Sequence, residues 1–148
     1  MSLRGDYDPD NIFAKILRGE APCCKVYEDD HVLACMDLFP QAPGHVLVIP
    51  KQAGRNLLDT DDEVLAQAVK RIKAIALGVE KAFAPDGLII TQFNGEPAGQ
   101  SVFHLHFHII PRFEGQPFDR HGDGKPEDKQ VLHAQAERIA AAMGDMQD

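Results

Sequence analysis

The sequence predicts an α+β fold, an antiparallel sheet of about five strands with two to three helices. Three observations carry that reading. Short β-branched and apolar runs follow one another with tight turns between them. One long stretch repeats its apolar residues at helical spacing. Residues 102–110 alternate strictly between two kinds of side chain, as a strand with two different faces does.

The elements follow in order. The opening MSLRGDYDPD is polar and is given no part in the fold. NIFAKILRG (11–19) places Ile12, Phe13, Ile16 and Leu17 on one helical face, with Gly19 as a stop. CCKVYED (23–29) and HVLACMDL (31–38) read as strands around an acidic turn at Asp29 and Asp30. PQAPG (40–44) is a turn. HVLVIPK (45–51) is apolar on both faces, which suits a central strand. The stretch 58–83 is the clearest helix. Thr60 and Glu63 fit a capping box, and Leu65, Ala68, Ile72, Ile75, Val79 and Ala82 form its stripe. APDG (84–87) ends it. LIITQF (88–93) is a strand, NGEPAGQS (94–101) a loop and VFHLHFHII (102–110) a strand that Pro111, lacking an amide donor, brings to an end. EGQPFDRHGDGKPED (114–128) is a polar connector. A last helix starts near Pro126 and buries Val131, Leu132, Ile139 and Met143. No internal repeat or composition shift divides the chain. Residues 10–113 are expected to form the domain, with the connector and helix of 114–148 packing on it.

Composition narrows the function. The 148 residues suffice for one domain with a real core, and 44% hydrophobic with 26% charged residues is ordinary for a soluble protein. No apolar run reaches membrane-spanning length, no signal peptide opens the sequence, and cytoplasm is the expected compartment. A net charge of -8 argues against nucleic acid or an acidic membrane as partner, but leaves room for one small phosphate group. The three cysteines, Cys23, Cys24 and Cys35, fit neither a disulfide framework nor a zinc ribbon and read as reduced strand residues.

The alternating run carries the chemistry. On a strand His104, His106 and His108 share one face with Val102 and Ile110, their Cα atoms roughly 6.5–7 Å apart. Phe103, Leu105, Phe107 and Ile109 take the other face and pack on a helix. Three readings compete. Incidental core histidines would leave three buried polar rings needing partners. A metal site can use two histidines two residues apart, but a third converges poorly and no acidic or cysteine ligand is near in sequence. Chemistry on a phosphate needs one histidine as nucleophile and others to orient it and to donate to the oxygens. The preceding Gly99-Gln100-Ser101 favours the last reading. Gly95 and Gly99 allow positive φ, so the loop amides can cradle an anion.

With these residues in view the chain resembles the histidine triad (HIT) family. HLHFHII matches its signature of three histidines alternating with apolar residues. The segment 10–51, with its IF-K-I helix, YEDD turn and D-x-x-P-x-x-P-G-H-x-L-V-I-P-K run, resembles the family's N-terminal half. The resemblance covers about residues 10–113. It implies a HIT-like fold and a nucleotide hydrolase or transferase cleaving at the α-phosphate. It implies that His106 is the nucleophile, forming a nucleotidyl-histidine intermediate, that His108 donates to phosphate oxygens and that His104 orients His106. Ser101 matches a serine near the leaving group, and Gly99 and Gln100 belong to the phosphate loop. Asn94 is either phosphate-proximal or a turn former. Asp37 matches an aspartate that takes both ribose hydroxyls, as an acceptor-only carboxylate can; otherwise it is a strand-end turn residue. Ile12, Phe13 and Leu38 match the base pocket or are plain core.

Many bacterial relatives carry C-x-x-C in the first helix and bind zinc there with two histidines. Asn11 and Ala14 occupy those positions, so no structural metal and no cofactor are expected, although His45 and His104 would match the remaining ligands. His45 then reads as structural or substrate-adjacent, and His31, His121 and His133 as surface residues. Arg112 either approaches a phosphate or is a solvated charge. The family also implies a homodimer, mildly supported by Val64, Val69 and Leu77 outside the main stripe of the long helix. The expected function is hydrolysis of purine nucleotide substrates of the phosphoramidate type. A dinucleoside polyphosphate hydrolase, which shares the Pro111-Arg112 ending, is the alternative within the enzymes. A nucleotide-binding or scaffold protein with incidental turnover is the alternative outside them.

Overall fold

The computed structural model describes residues 3–117 and 125–144. Helix α1 (Ile12–Leu17) opens on Asn11, whose side chain accepts from the Ala14 amide at 2.9 Å. Strands β1 (Lys25–Glu28), β2 (Val32–Met36) and β3 (Val46–Pro50) follow, then helix α2 (Asp62–Phe83), β4 (Gly87–Thr91), β5 (Phe107–Arg112) and helix α3 (Lys129–Gly144). The five strands form one antiparallel sheet in the order β1-β2-β3-β5-β4. Every residue of β2 and β3 is buried, as the two-sided apolar run requires of central strands.

The acidic turn between β1 and β2 is built by Asp29. Its carboxylate accepts from the His31 and Val32 amides at 2.8 and 3.0 Å, from Tyr27 Oη at 2.7 Å and from Arg71 Nε on α2 at 2.6 Å. Burial opposes ionisation, but these donors hold the carboxyl far below its usual range.

Helices α2 and α3 pack together on one face of the sheet. Ala68, Ile72, Ile75 and Val79 of α2 and Leu132, Ala136, Ile139 and Met143 of α3 join Val32, Val46, Val48, Leu105, Phe107 and Ile109 in one core. At Gly78 the helices meet closely, since a Cβ there would stand 2.6 Å from Met143 Cγ. Val131, expected inside, is 41% exposed because the buried stripe of α3 runs through Leu132, Ala136 and Ile139.

Other expectations shift as well. No side chain caps α2 through Thr60 and Glu63. The box forms one turn earlier, where Asn56 and Asp59 bracket the 3-10 turn Leu57–Asp59, and Thr60 Oγ1 donates to the Asn56 carbonyl at 2.7 Å. The last strand is displaced. It begins at Phe107, because the backbone before it is committed elsewhere: the Leu105 amide donates to the Gly54 carbonyl at 2.8 Å and the His104 carbonyl accepts from the His106 ring at 2.7 Å. Pro111 lies inside β5 opposite Leu88 rather than ending it. Beyond Ile109 the strand has only β4 as a partner, so a residue without N–H is tolerated on the other edge. The last helix starts at Lys129, three residues later than its sequence suggests. His121 and part of the polar connector lie outside the described residues.

Candidate active site

A cavity of about 460 Å³ opens between α1, the β2–β3 connection and the start of β5. His106, His108, Ser101, Gly99 and Asp37 line its polar end, and Ile12, Phe13, Ile16, Leu38 and Phe39 its apolar wall. Eight of the residues singled out from the sequence thus share one wall: His106, His108, Ser101, Gly99, Asp37, Ile12, Phe13 and Leu38.

The histidines do not stand in a row. His106 and His108 are neighbours, ring centroids 5.2 Å apart, and both are buried. His104 turns away, its ring held by Pro50 and Tyr7. Its Nε2 lies 2.7 Å from the Pro50 carbonyl and its Nδ1 2.6 Å from Tyr7 Oη. A carbonyl only accepts, so Nε2 carries the proton and Nδ1 accepts from the tyrosine. Burial lowers the pKa of His104, against a smaller opposing effect of the Pro50 hydrogen bond, and keeps the ring neutral.

The same logic fixes His106. Its Nδ1 is 2.7 Å from the His104 carbonyl and must donate to it, so in the neutral ring Nε2 is the basic atom. Phe13 meets the ring edge-on at 4.6 Å and limits its rotation. A third directed contact lies behind His108. The Gln41 amide donates to His45 Nδ1 at 3.1 Å, so neutral His45 carries its proton on Nε2. That atom faces His108 Nδ1 at 3.0 Å and Asp37 Oδ2 at 3.4 Å. Accepting at Nδ1 places the His108 proton on Nε2, where it is a donor. One ring is thereby left basic at Nε2, and its neighbour carries an N–H donor at Nε2.

Asp37 Oδ1 accepts from the Phe39 amide at 2.9 Å, and Oδ2 is 4.0 Å from His108 Nδ1. The donor atoms of Asp37, His45 and His108 lie within 4.8 Å of one another, close enough for a cation to be held there. Within the set His45 Nε2–H is the donor, facing both His108 Nδ1 and Asp37 Oδ2.

The glycine loop has the expected form, with φ of +91° at Gly95 and +110° at Gly99. Gln100 and Asn94 hold that loop rather than line the cavity. Gln100 Oε1 accepts from the Gly95 amide at 2.8 Å, and its Nε2 donates to the Arg55 and Val102 carbonyls at 2.6 and 3.0 Å. Asn94 Oδ1 accepts from the Leu57 amide at 3.0 Å and from Gln92 Nε2 at 2.7 Å. Among the described residues, no lysine or arginine lines the cavity. Lys51 pairs with Glu28 at 2.8 Å, and Arg112 donates to the Gln116 and Pro117 carbonyls at 2.9 and 2.8 Å.

A family model for the HIT domain matches residues 18–115. The chain belongs to the HIT family.

Solved HIT structures superimpose closely. A HIT-like protein from Bartonella henselae, described as involved in cell-cycle regulation and bound to an unknown ligand, is 50% identical with a TM-score of 0.86, covering 93% of this chain and 99% of its own. A hypothetical histidine triad nucleotide-binding protein from Sulfolobus tokodaii is 36% identical with a TM-score of 0.83 over 90% of this chain and 92% of its own. Among curated relatives, an adenylylsulfatase from Arabidopsis thaliana is 43% identical over 71% of this chain and 53% of its own length.

Two members of this HIT site were missed or undervalued in the sequence. Tyr7 lies in the opening segment that was given no part in the fold. That segment is nevertheless anchored, with Asn56 Nδ2 donating to the Leu3 carbonyl at 3.1 Å and Arg55 Nη1 to the Asp6 carbonyl at 3.3 Å. No local pattern signals it, because its partners lie about 50 and 97 residues away. His45 was read as structural or substrate-adjacent, and as matching a zinc ligand with His104. It meets His108 instead, and both ring nitrogens of His104 are bonded to Pro50 and Tyr7.

Proposed function

We propose that the protein is a nucleotide hydrolase that cleaves phosphoramidate-type purine nucleotide substrates at the α-phosphate through a nucleotidyl-His106 intermediate. The observation that carries this reading is the fixed tautomer of His106, with Nδ1–H held by the His104 carbonyl and Nε2 left basic beside a donor, His108. The names of the Sulfolobus and Arabidopsis relatives, a nucleotide-binding protein and an adenylylsulfatase, support the same class.

In the proposed reaction His106 Nε2 attacks phosphorus as the P–N bond breaks, and the departing amine takes up a proton. Ser101, on the cavity wall, is the candidate donor. His108 Nε2–H and the loop amides near Gly99 offset charge on the phosphate oxygens. Water then attacks phosphorus and returns a proton to Ser101, the Nε2–P bond breaks and nucleoside monophosphate leaves. Asp37 is placed to accept from ribose hydroxyls, and Ile12, Phe13 and Leu38 to cover the base. Gln100 and Asn94 serve by holding the glycine loop in shape.

That no described residue lining the cavity is a cation favours an amide leaving group over a second nucleotide, whose extra phosphates need positive cover. The test is kcat/KM for adenosine 5'-phosphoramidate against a diadenosine polyphosphate, with Ser101→Ala in both. The amide should be the better substrate, and Ser101→Ala should slow it ~10²-fold while sparing a substrate with an acidic phenol leaving group. A clear preference for the diadenosine compound, or equal slowing of both, would contradict the reading. Homodimerisation is proposed alongside it, on exposed Val69 and Leu77 of α2 and Ile90 of β4. Sedimentation at micromolar concentration should give a dimer.

A further inference from the structure

Cys23 and Cys35 are used by none of the phosphate chemistry, yet both line the cavity. Cys23 lies two residues before β1, and Cys35 lies on β2, where its Cα partner is Lys25. Cys23 packs on the small cluster of Phe13, Cys35, Leu47 and Ile49 that backs the apolar wall. The adjacent Cys24 points the other way, into the core with Ala34 and Met36. Among the three, Cys23 is the half-buried one, whereas Cys35 is 2% exposed and Cys24 4%. The two cavity thiols pack together in that cluster, and a hydrogen bond between them favours the Cys23 thiolate. That hydrogen bond, with help from Lys25 and against burial, brings the Cys23 pKa down to about 7. The same contact and burial push Cys35 up. An accessible thiol with thiolate character beside a buried thiol is the arrangement of an oxidation-sensitive cysteine with its resolving partner.

We infer that Cys23 and Cys35 form a reversible oxidation site on the wall of the nucleotide cavity, oxidised by hydroperoxides. In the first step the Cys23 sulfur attacks one peroxide oxygen. The O–O bond breaks, sulfur loses two electrons to become a sulfenic acid, and the other oxygen leaves as alcohol or, from hydrogen peroxide, as water. In the second step the Cys35 sulfur attacks the Cys23 sulfur. An S–S bond forms, the S–O bond breaks, and hydroxide leaves with the Cys35 proton as water. The sum is two thiols and one hydroperoxide giving a disulfide, an alcohol and water. The product joins the segment leading into β1 to β2 beside Phe13, so it alters the surface that meets a ligand.

The test uses the full, reduced chain and dilute hydrogen peroxide, followed by peptide mapping without reductant. A single Cys23–Cys35 disulfide that dithiothreitol reverses is expected. Cys35→Ala should instead accumulate a sulfenic acid at Cys23 that dimedone traps. At pH 7 iodoacetamide should label Cys23 at least tenfold faster than Cys24. A disulfide through Cys24, linkage only between chains, or oxidation of wild-type Cys23 straight to sulfinic acid would overturn the inference. If Cys35→Ala does not fold, the wild-type map and the labelling rates decide. No nucleotide is used, so the result is independent of the proposed reaction.

Discussion

The two faces of the sheet are built on different rules. The face under α2 and α3 is filled by Val32, Ala34, Met36, Val46, Val48, Phe107 and Ile109, which interlock by volume alone. The face toward the cavity, drawn from the same strands and their ends, carries Cys35, Asp37, His45, His106 and His108 among Leu47 and Ile49. Its polar groups are buried, and the hydrogen bonds they make also set which nitrogen carries a proton. On the helix side a residue is defined by its shape. On the cavity side it is defined by its partner. Mutations should therefore separate: stability should respond to one face and turnover to the other.

The largest effect is expected at His106. His106→Ala should lower kcat by at least ~10³-fold while nucleotide binding and melting temperature stay near wild type, because the ring is asked for bond formation rather than packing. Isothermal titration and steady-state kinetics on one preparation would show the split. On the opposite face Ile109, 0% exposed between Val46 and Ile90, should give the reverse. Ile109→Ala should cost ~2–5 kcal/mol in denaturant unfolding, with kcat of the folded fraction largely kept. A strong loss of kcat in the folded protein would mean that the faces are not separable.

Much of this contrast was legible in the sequence, and what was not has a physical cause. The α+β class, with an antiparallel sheet of about five strands and two to three helices, followed from period-two and period-3.6 patterns, which report burial on one face. Residues grouped by local spacing or by the family motif, such as His106, His108, Ser101 and Gly99, also meet in space. Local pattern failed where tertiary hydrogen bonds override it. His104 continues the alternation but leaves the strand, because the Pro50 carbonyl and Tyr7 supply better partners than an open strand face. The Asn56–Asp59 cap was concealed by an equally good Thr60–Glu63 match one turn later. Tyr7 and the pairing of His45 with His108 depend on contacts 97 and 63 residues apart in the chain, which periodicity cannot report.

Two smaller effects sharpen the comparison. His45→Ala removes the donor that sets the His108 tautomer. A misoriented donor should cost ~10–10²-fold in kcat with little change in KM. An unchanged kcat would show that His108 does not need the relay. Tyr7→Phe removes only the hydroxyl on His104 Nδ1. It should cost about 1 kcal/mol of stability and less than ~5-fold in kcat, since His104 acts on His106 through its backbone carbonyl and not its ring. A loss as large as that of His45→Ala would mean that the His104 ring takes a direct part in the reaction.

The most direct measurement is to trap the covalent intermediate. Rapid acid-free quenching of wild-type protein during turnover of adenosine 5'-phosphoramidate, followed by peptide mass mapping, should place an adenylyl group on His106 alone, at a level that rises and decays with substrate. The His106→Ala chain should carry none. A wild-type protein that turns the substrate over with the adduct on His104, on His108 or on no histidine would contradict the assignment of His106 as nucleophile.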